Sequence, residues 1–211
     1  MSLKYPLSRR VFTGGLAALP ALAMPITGLA KTTTRVEAPV GDNGLHTQSW
    51  FHDSFLEMSD DVAEAAEDGK HLAVIFEQRG CPYCKEMHEV NFGVPEITEY
   101  VQEHFLVVQI DLWGPRNVTD FDGEIMGERE LAQRWRVNFT PTTAFFPMSV
   151  EEGKSGRDLE IFRMPGYFKP FHFLSSFMYV AEERYKDTGF QRFVSERGDK
   201  LREEGKAVDL W

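Results

Sequence analysis

The sequence predicts an α/β domain, and three observations carry that prediction. A short apolar strand (residues 72–77) runs directly into a Cys-x-x-C pair at the start of a helix, the elements around it alternate strand, helix, strand, and a later pair of strands is followed by a helix able to cover them. Of the 211 residues 42% are hydrophobic, with aromatics making up 13% of the chain, which is ample material for one buried core with additions. No internal repeat or long low-complexity tract interrupts it.

Residues 1–30 read as an address. Ser8-Arg9-Arg10-Val11-Phe12 precedes an apolar stretch at 14–24, and Gly28 and Ala30 supply small residues for a peptidase site before Lys31. The pattern resembles a twin-arginine signal peptide, which implies export of a folded domain to a bacterial periplasm. Pro20 and Pro25 break the apolar stretch, which falls short of the roughly 20 residues that span a bilayer, so no permanent membrane anchor is expected. Residues 31–49, with Thr32, Thr33, Thr34, Pro39, Gly41 and Gly44, read as a linker, and the domain is expected to begin near Trp50.

Within the domain, Asp53 is expected to cap a helix over 53–68, with Phe55, Met58, Val62, Ala65 and Ala66 on one stripe and Gly69 ending it. The strand at 72–77 is bounded by Gly69-Lys70 and Gly80, as a buried central strand should be. A helix follows over 82–90, Pro95 opens another over 96–104, and a strand occupies 105–111. Residues 113–127 are rich in turn signals (Gly114-Pro115, Asp122-Gly123) and read as an inserted surface loop before a helix at 128–136. Strands at 142–146 and 159–163 flank a polar connection, and a helix over 170–185 closes a domain assigned to 50–187. An extension, 188–211, holds a charged helix over 190–210 with Phe190, Phe193, Val194 and Leu201 on one side, packed across the body.

The formal charge is −10, and because residues 1–30 carry Lys4, Arg9 and Arg10 with no acid, the remainder carries −13. Such acidity argues against a nucleic-acid partner. Runs such as Glu182-Glu183-Arg184 and Glu203-Glu204 read as solvated helix faces. There are two cysteines, three positions apart, too close to staple a long loop and too few for a disulfide framework. Their value lies in reactivity.

In Cys81-Pro82-Tyr83-Cys84 the first sulfur stands at a helix N-terminus, where unsatisfied N–H groups and the helix dipole favour a thiolate. Cys81 is therefore the expected nucleophile, and Cys84, one turn inside, is placed to resolve a mixed disulfide. Pro82 suits the first helical position, where no N–H is needed. The other use of such a pair is half a zinc site, which requires about four ligands; with no second cysteine pair, His71, His88 and His104 would have to converge. His88, four residues after Cys84, reads as a surface or packing residue.

Over roughly residues 50–185 the chain resembles the thioredoxin superfamily: the strand at 72–77, the Cys81 to Cys84 motif followed by Lys85, and Thr140-Pro141-Thr142 before a late strand. The resemblance implies a thioredoxin fold, a central mixed β-sheet flanked by helices, here with an inserted loop and an added C-terminal helix. It also implies a cis bond before Pro141 beside the dithiol, with the Thr140 backbone offered to a substrate strand; an ordinary trans edge proline is the alternative. Many thioredoxins carry a buried carboxylate six residues before the first cysteine, a position that is Ile75 here. Glu77, on the same strand face, is the substitute candidate for proton acceptor. The Pro82-Tyr83 pair is that of many glutaredoxins, and Tyr83 either presents a ring edge to substrate or covers the motif. With its exported Cys81-Pro82-Tyr83-Cys84 domain and inserted acidic loop, the chain also resembles exported thioredoxin-like proteins of bacterial sulfur-oxidation (Sox) systems. That implies a protein thiol or disulfide substrate in the periplasm and a membrane dithiol donor, with no cofactor beyond the redox-active Cys81–Cys84 disulfide and no metal.

Three functions compete. A protein disulfide reductase would hold a potential near the thioredoxin value of about −270 mV, and a disulfide-introducing oxidant one nearer about −120 mV. A Cu(I) metallochaperone would use the two thiolates as soft ligands, though no methionine cluster accompanies them.

Overall fold

The computed structural model describes residues 35–206 and 208; the expected signal segment, 1–30, lies outside them, as does the end of the extension. A four-stranded sheet in the order β2-β1-β5-β6 organises the domain, built from β1 (His71–Glu77), β2 (Phe105–Asp111), β5 (Thr142–Phe146) and β6 (Phe162–Pro165). β1 and β2 are parallel, whereas β5 is antiparallel to both β1 and β6, so the sheet is mixed as expected. All seven residues of β1 are buried, because both faces of this central strand are covered.

Strand alternation divides the core in two. Leu72, Val74 and Phe76 point to a layer holding α1 (Met58–Glu67) and α4 (Glu128–Arg134), with Trp135 and Phe146. Ala73 and Ile75 point to the other layer, formed by α3 (Pro95–His104) and α6 (Pro170–Ala181) with Met87 and Phe92 from the turn that follows α2 (Pro82–Glu86). In α6 the buried Phe173, Phe177 and Val180 recur at helical spacing, and Pro170 and Pro95 each open their helix where a missing N–H costs nothing. Among the described residues no helix is long and apolar enough to cross a membrane.

Several boundaries differ from expectation. Asp53 caps nothing: α1 starts at Met58, after Ser54 Oγ accepts the Leu56 N–H at 2.7 Å and donates to Asp61 at 2.7 Å. Leu56 takes a left-handed conformation (φ 63°) that sends its own side chain into the core and leaves Phe55 95% exposed, off the predicted stripe. The segment 113–127 is more than a surface loop. It holds the hairpin β3 (Asn117–Thr119) and β4 (Ile125–Gly127), which buries Val118 and Phe121 and seats Asp120 against the Trp135 indole N–H at 3.2 Å.

The strand expected at 159–163 begins later. A short helix, α5 (Gly156–Leu159), intervenes because Gly156 lies flat against Trp135, where a Cβ would come within 2.1 Å of the ring. α6 ends at Ala181, before Glu183 turns left-handed, and the last helix, α7, spans Phe190–Glu203 with Phe193 and Val194 buried. The described part of the supposed linker, 35–49, is packed on the domain: Leu45 is fully buried, Val40 bridges His46, and the Val36 N–H donates to Glu89 O at 3.0 Å.

Candidate redox site

β1 delivers the motif. After Glu77 the chain turns through Gly80, whose φ of 70° suits glycine, and the Cys81 N–H donates to Gln78 O at 3.3 Å. Cys81 is the N-cap of α2 and Pro82 its first helical residue. The Cys84 N–H donates to Cys81 Sγ at 3.1 Å, which is the orphan-amide stabilisation that a thiolate at this atom would use. The two cysteines form a disulfide with Cα atoms 5.2 Å apart. Beyond Glu86 the helix loosens into a π-helical turn, Met87–Asn91, closed by the Phe92 N–H donating to Met87 O at 3.0 Å.

The loop before β5 covers the motif from the other side. The Thr140–Pro141 bond is cis, Thr140 Oγ1 donates to Cys81 Sγ at 3.3 Å, and Thr140 O lies 3.7 Å from the same sulfur. Pro141 O in turn accepts the Gly166 N–H at 2.8 Å. Sequence reasoning thus placed Cys81, Cys84, Pro82, Thr140 and Pro141 in one constellation, and they are together. Tyr83 is 61% exposed and stacks on Tyr167 with ring centroids 6.4 Å apart. Burial pushes the Tyr167 phenol up to about 12, the charge of Glu86 adding to the effect. Phe139 and Trp113 are also exposed close to the motif, and the Trp113 indole donates to Gln78 at 2.9 Å.

Glu77 is fully buried, but its carboxylate bonds neither sulfur. It lies 3.0 and 3.2 Å from His88 Nε2 and accepts from Gln109 Nε2 at 2.7 Å. His88 is therefore a member of a buried polar network, not the surface or packing residue that its sequence suggested. The signal was its spacing: four residues after an inward-facing cysteine, a histidine on the same helix also faces inward. Gln109, and Gln48 from the presumed linker, gave no local signal. The three histidines weighed as zinc ligands do not converge, since His71 faces Phe146 O at 3.1 Å and His104 packs on Tyr100. Among the described residues no group of three or more His, Cys, Asp or Glu side chains could hold a metal ion.

Comparison with known proteins agrees with this architecture: residues 58–181 match the family described as a thioredoxin-like domain. The chain belongs to that family. Similar solved structures include a thioredoxin-fold protein from Helicobacter pylori (19% identity, 66% of this chain and 98% of that one, TM-score 0.49). A thioredoxin from Thermus thermophilus is 26% identical, covering 59% of this chain and 83% of its own, with a TM-score of 0.45. The C-terminal domain of DsbD from Neisseria meningitidis in the oxidised form is 18% identical over 59% and 92%, with a TM-score of 0.38. No curated protein matches. The thioredoxin-like match takes in β1, the dithiol, Pro141 and α6, and leaves α7 and the packed segment 35–52 outside.

Proposed function

We propose that this thioredoxin-like chain is an exported protein disulfide reductase that works through Cys81 and Cys84. The observation that carries the reading is the disulfide at a helix start with Thr140, ahead of a cis proline, bonded to the outer sulfur. The Cys81 thiolate attacks a substrate disulfide, one substrate sulfur leaves and takes a proton, and a mixed disulfide forms. Cys84 then gives up its proton and attacks Cys81 Sγ. The second substrate thiol is released, two electrons have passed to the substrate, and Cys81–Cys84 is oxidised. Glu77 is the proposed proton acceptor. Pro82, Tyr83, Thr140 and Pro141 form the surface the substrate meets.

The signal-like residues 1–30 support placement in the periplasm, and a membrane dithiol protein is the donor that would re-reduce the pair there. The finer reading, upkeep of a carrier thiol in sulfur oxidation, rests on the sequence resemblance. The test is to equilibrate the full chain in defined thiol buffers, trap the cysteines with a mass tag and fit the potential. A value at or below about −220 mV supports the reductase; a value above about −150 mV replaces it with disulfide introduction. Stoichiometric copper without exchange would defeat both enzyme readings.

A further inference from the structure

Under α2 and its π-helical turn, four polar side chains from four separate segments meet, two of them fully buried and the two glutamines half-buried. Glu77 comes from β1, His88 from the π-helical turn, Gln109 from β2 and Gln48 from the packed segment upstream of α1. Glu77 and His88 are both fully buried. Gln109 Nε2 donates to Glu77 Oε1 at 2.7 Å and to His46 O at 2.7 Å, while Gln48 Nε2 faces His88 Nδ1 at 3.1 Å. Burying a carboxylate costs several kcal/mol unless partners recover it, so a set this closely matched is not incidental packing.

With the Gln48 amide turned nitrogen-first toward the ring, the donor inventory orders the protons. An amide nitrogen only donates, so at its contact with Gln48 the His88 Nδ1 accepts. The ring proton then sits on Nε2, which donates to Glu77. We propose that Gln48 and His88 are positioning residues for proton transfer from Cys84: Gln48 locks the Nε2–H tautomer, and His88 with Gln109 holds Glu77 ready to accept. The inference rests on the dithiol reading above. Cys84 and His88 are both buried, Cys84 in α2 and His88 four residues on in the π-helical turn that continues it.

Glu77 Oε2 receives only the longer His88 contact, whereas Oε1 takes the shorter one and the Gln109 N–H. In the step, the Cys84 S–H bond breaks and its proton passes to Oε2, the sulfur bonds Cys81 Sγ, and the Cys81–substrate bond breaks. Its electron pair leaves on the substrate sulfur, which then takes up a proton. The other charged or titratable groups on this side are His46, whose ring lies 6.1 Å from that of His88, and Asp111 with its partner Arg79 at 3.9 Å. Arg116 also lies here, donating to Gln109 O at 3.1 Å.

The test uses the full chain. Heteronuclear NMR of the imidazole nitrogens should find His88 Nε2 protonated and Nδ1 bare. The pH profile of mixed-disulfide resolution should keep its acid limb in wild type and move it to higher pH by about one unit in Gln48→Leu, since losing the N–H donor eases a second proton onto the ring. Gln48→Glu, which presents only acceptors, should move it further, and in a His88→Gln background the same change should move nothing. An Nδ1–H tautomer, or a fixed limb in both Gln48 variants, overturns the proposal. If a variant fails to fold, the NMR measurement on the unsubstituted chain decides. Should the wild-type chain exchange no disulfide, as a Cys81→Ser control does not, the underlying reading falls too; exchange with a fixed limb brings down this inference alone.

Discussion

Two glutamates in this domain are completely buried, and their surroundings could hardly differ more. Glu128, at the start of α4, accepts the backbone N–H groups of Asp111 (3.0 Å) and Arg116 (3.2 Å) and binds the Arg116 guanidinium at 2.6 Å. Its partner is permanently cationic and its role is to pin the hairpin insert to the end of β2. Glu77 has no such cation and is held by an imidazole and a side-chain amide, partners able to change their donor pattern. Equal burial therefore serves anchoring in one case and, in the proposed mechanism, proton handling in the other, and it is the partner that separates them.

The sharpest way to break the comparison is to remove each carboxylate. Glu128→Ala should cost about 3 kcal/mol of stability in urea denaturation, since Arg116 and two amides lose their acceptor, while the exchange rate per folded molecule stays the same. Glu77→Gln should do the reverse, slowing resolution of the mixed disulfide about 10²-fold in stopped-flow measurements with a smaller stability loss. If both variants lose stability alike and neither loses rate, the division is wrong. A smaller effect is expected at the outer sulfur: Thr140→Val removes one donor to Cys81 Sγ and should lower the thiolate population about fivefold, read from its ultraviolet absorbance.

The smallest effect lies in the alkaline range. Burial raises Tyr100 and Tyr167 to about 12, each from a reference of 10.0. Between those values the unfolded chain has released protons the native state still holds, so the stability these phenols contribute is present below about pH 10 and lost as pH rises toward 12. Following the Tyr167 phenolate by absorbance, with Tyr167→Phe as control, would separate the contribution beside Tyr83 from that on α3.

The same contrast explains what could be read from the sequence. The strands at 105–111 and 142–146 were legible to the residue because each is a short run rich in β-branched and aromatic residues. Cys81 and Cys84 announce themselves through local spacing, and Thr140-Pro141 through resemblance. The hairpin at Asn117–Thr119 and Ile125–Gly127 was missed because three-residue strands carry too few alternations to register. Phe55 was misassigned because the left-handed turn at Leu56 ends the helical phase, and no periodicity reports a dihedral. Gln48 and Gln109 were beyond reach for a plainer reason: Gln48 lies 40 positions from His88 and Gln109 32 from Glu77, and such pairs leave no local pattern.

The π-helical turn at Met87–Asn91 makes chain length itself a functional quantity. Successive helical residues differ in azimuth by about 100°, so deleting one residue between Cys84 and Asn91 would rotate everything downstream by that angle. Asn91, which donates to Phe168 O at 2.8 Å and accepts from Tyr167 at 3.4 Å, would swing away from both. A single-codon deletion here would leave both cysteines and every apolar residue of the sheet in place, yet uncouple the motif helix from the loop beneath Tyr83. Aligning relatives across this stretch as ideal helix would put their inward-facing residues one position out of step.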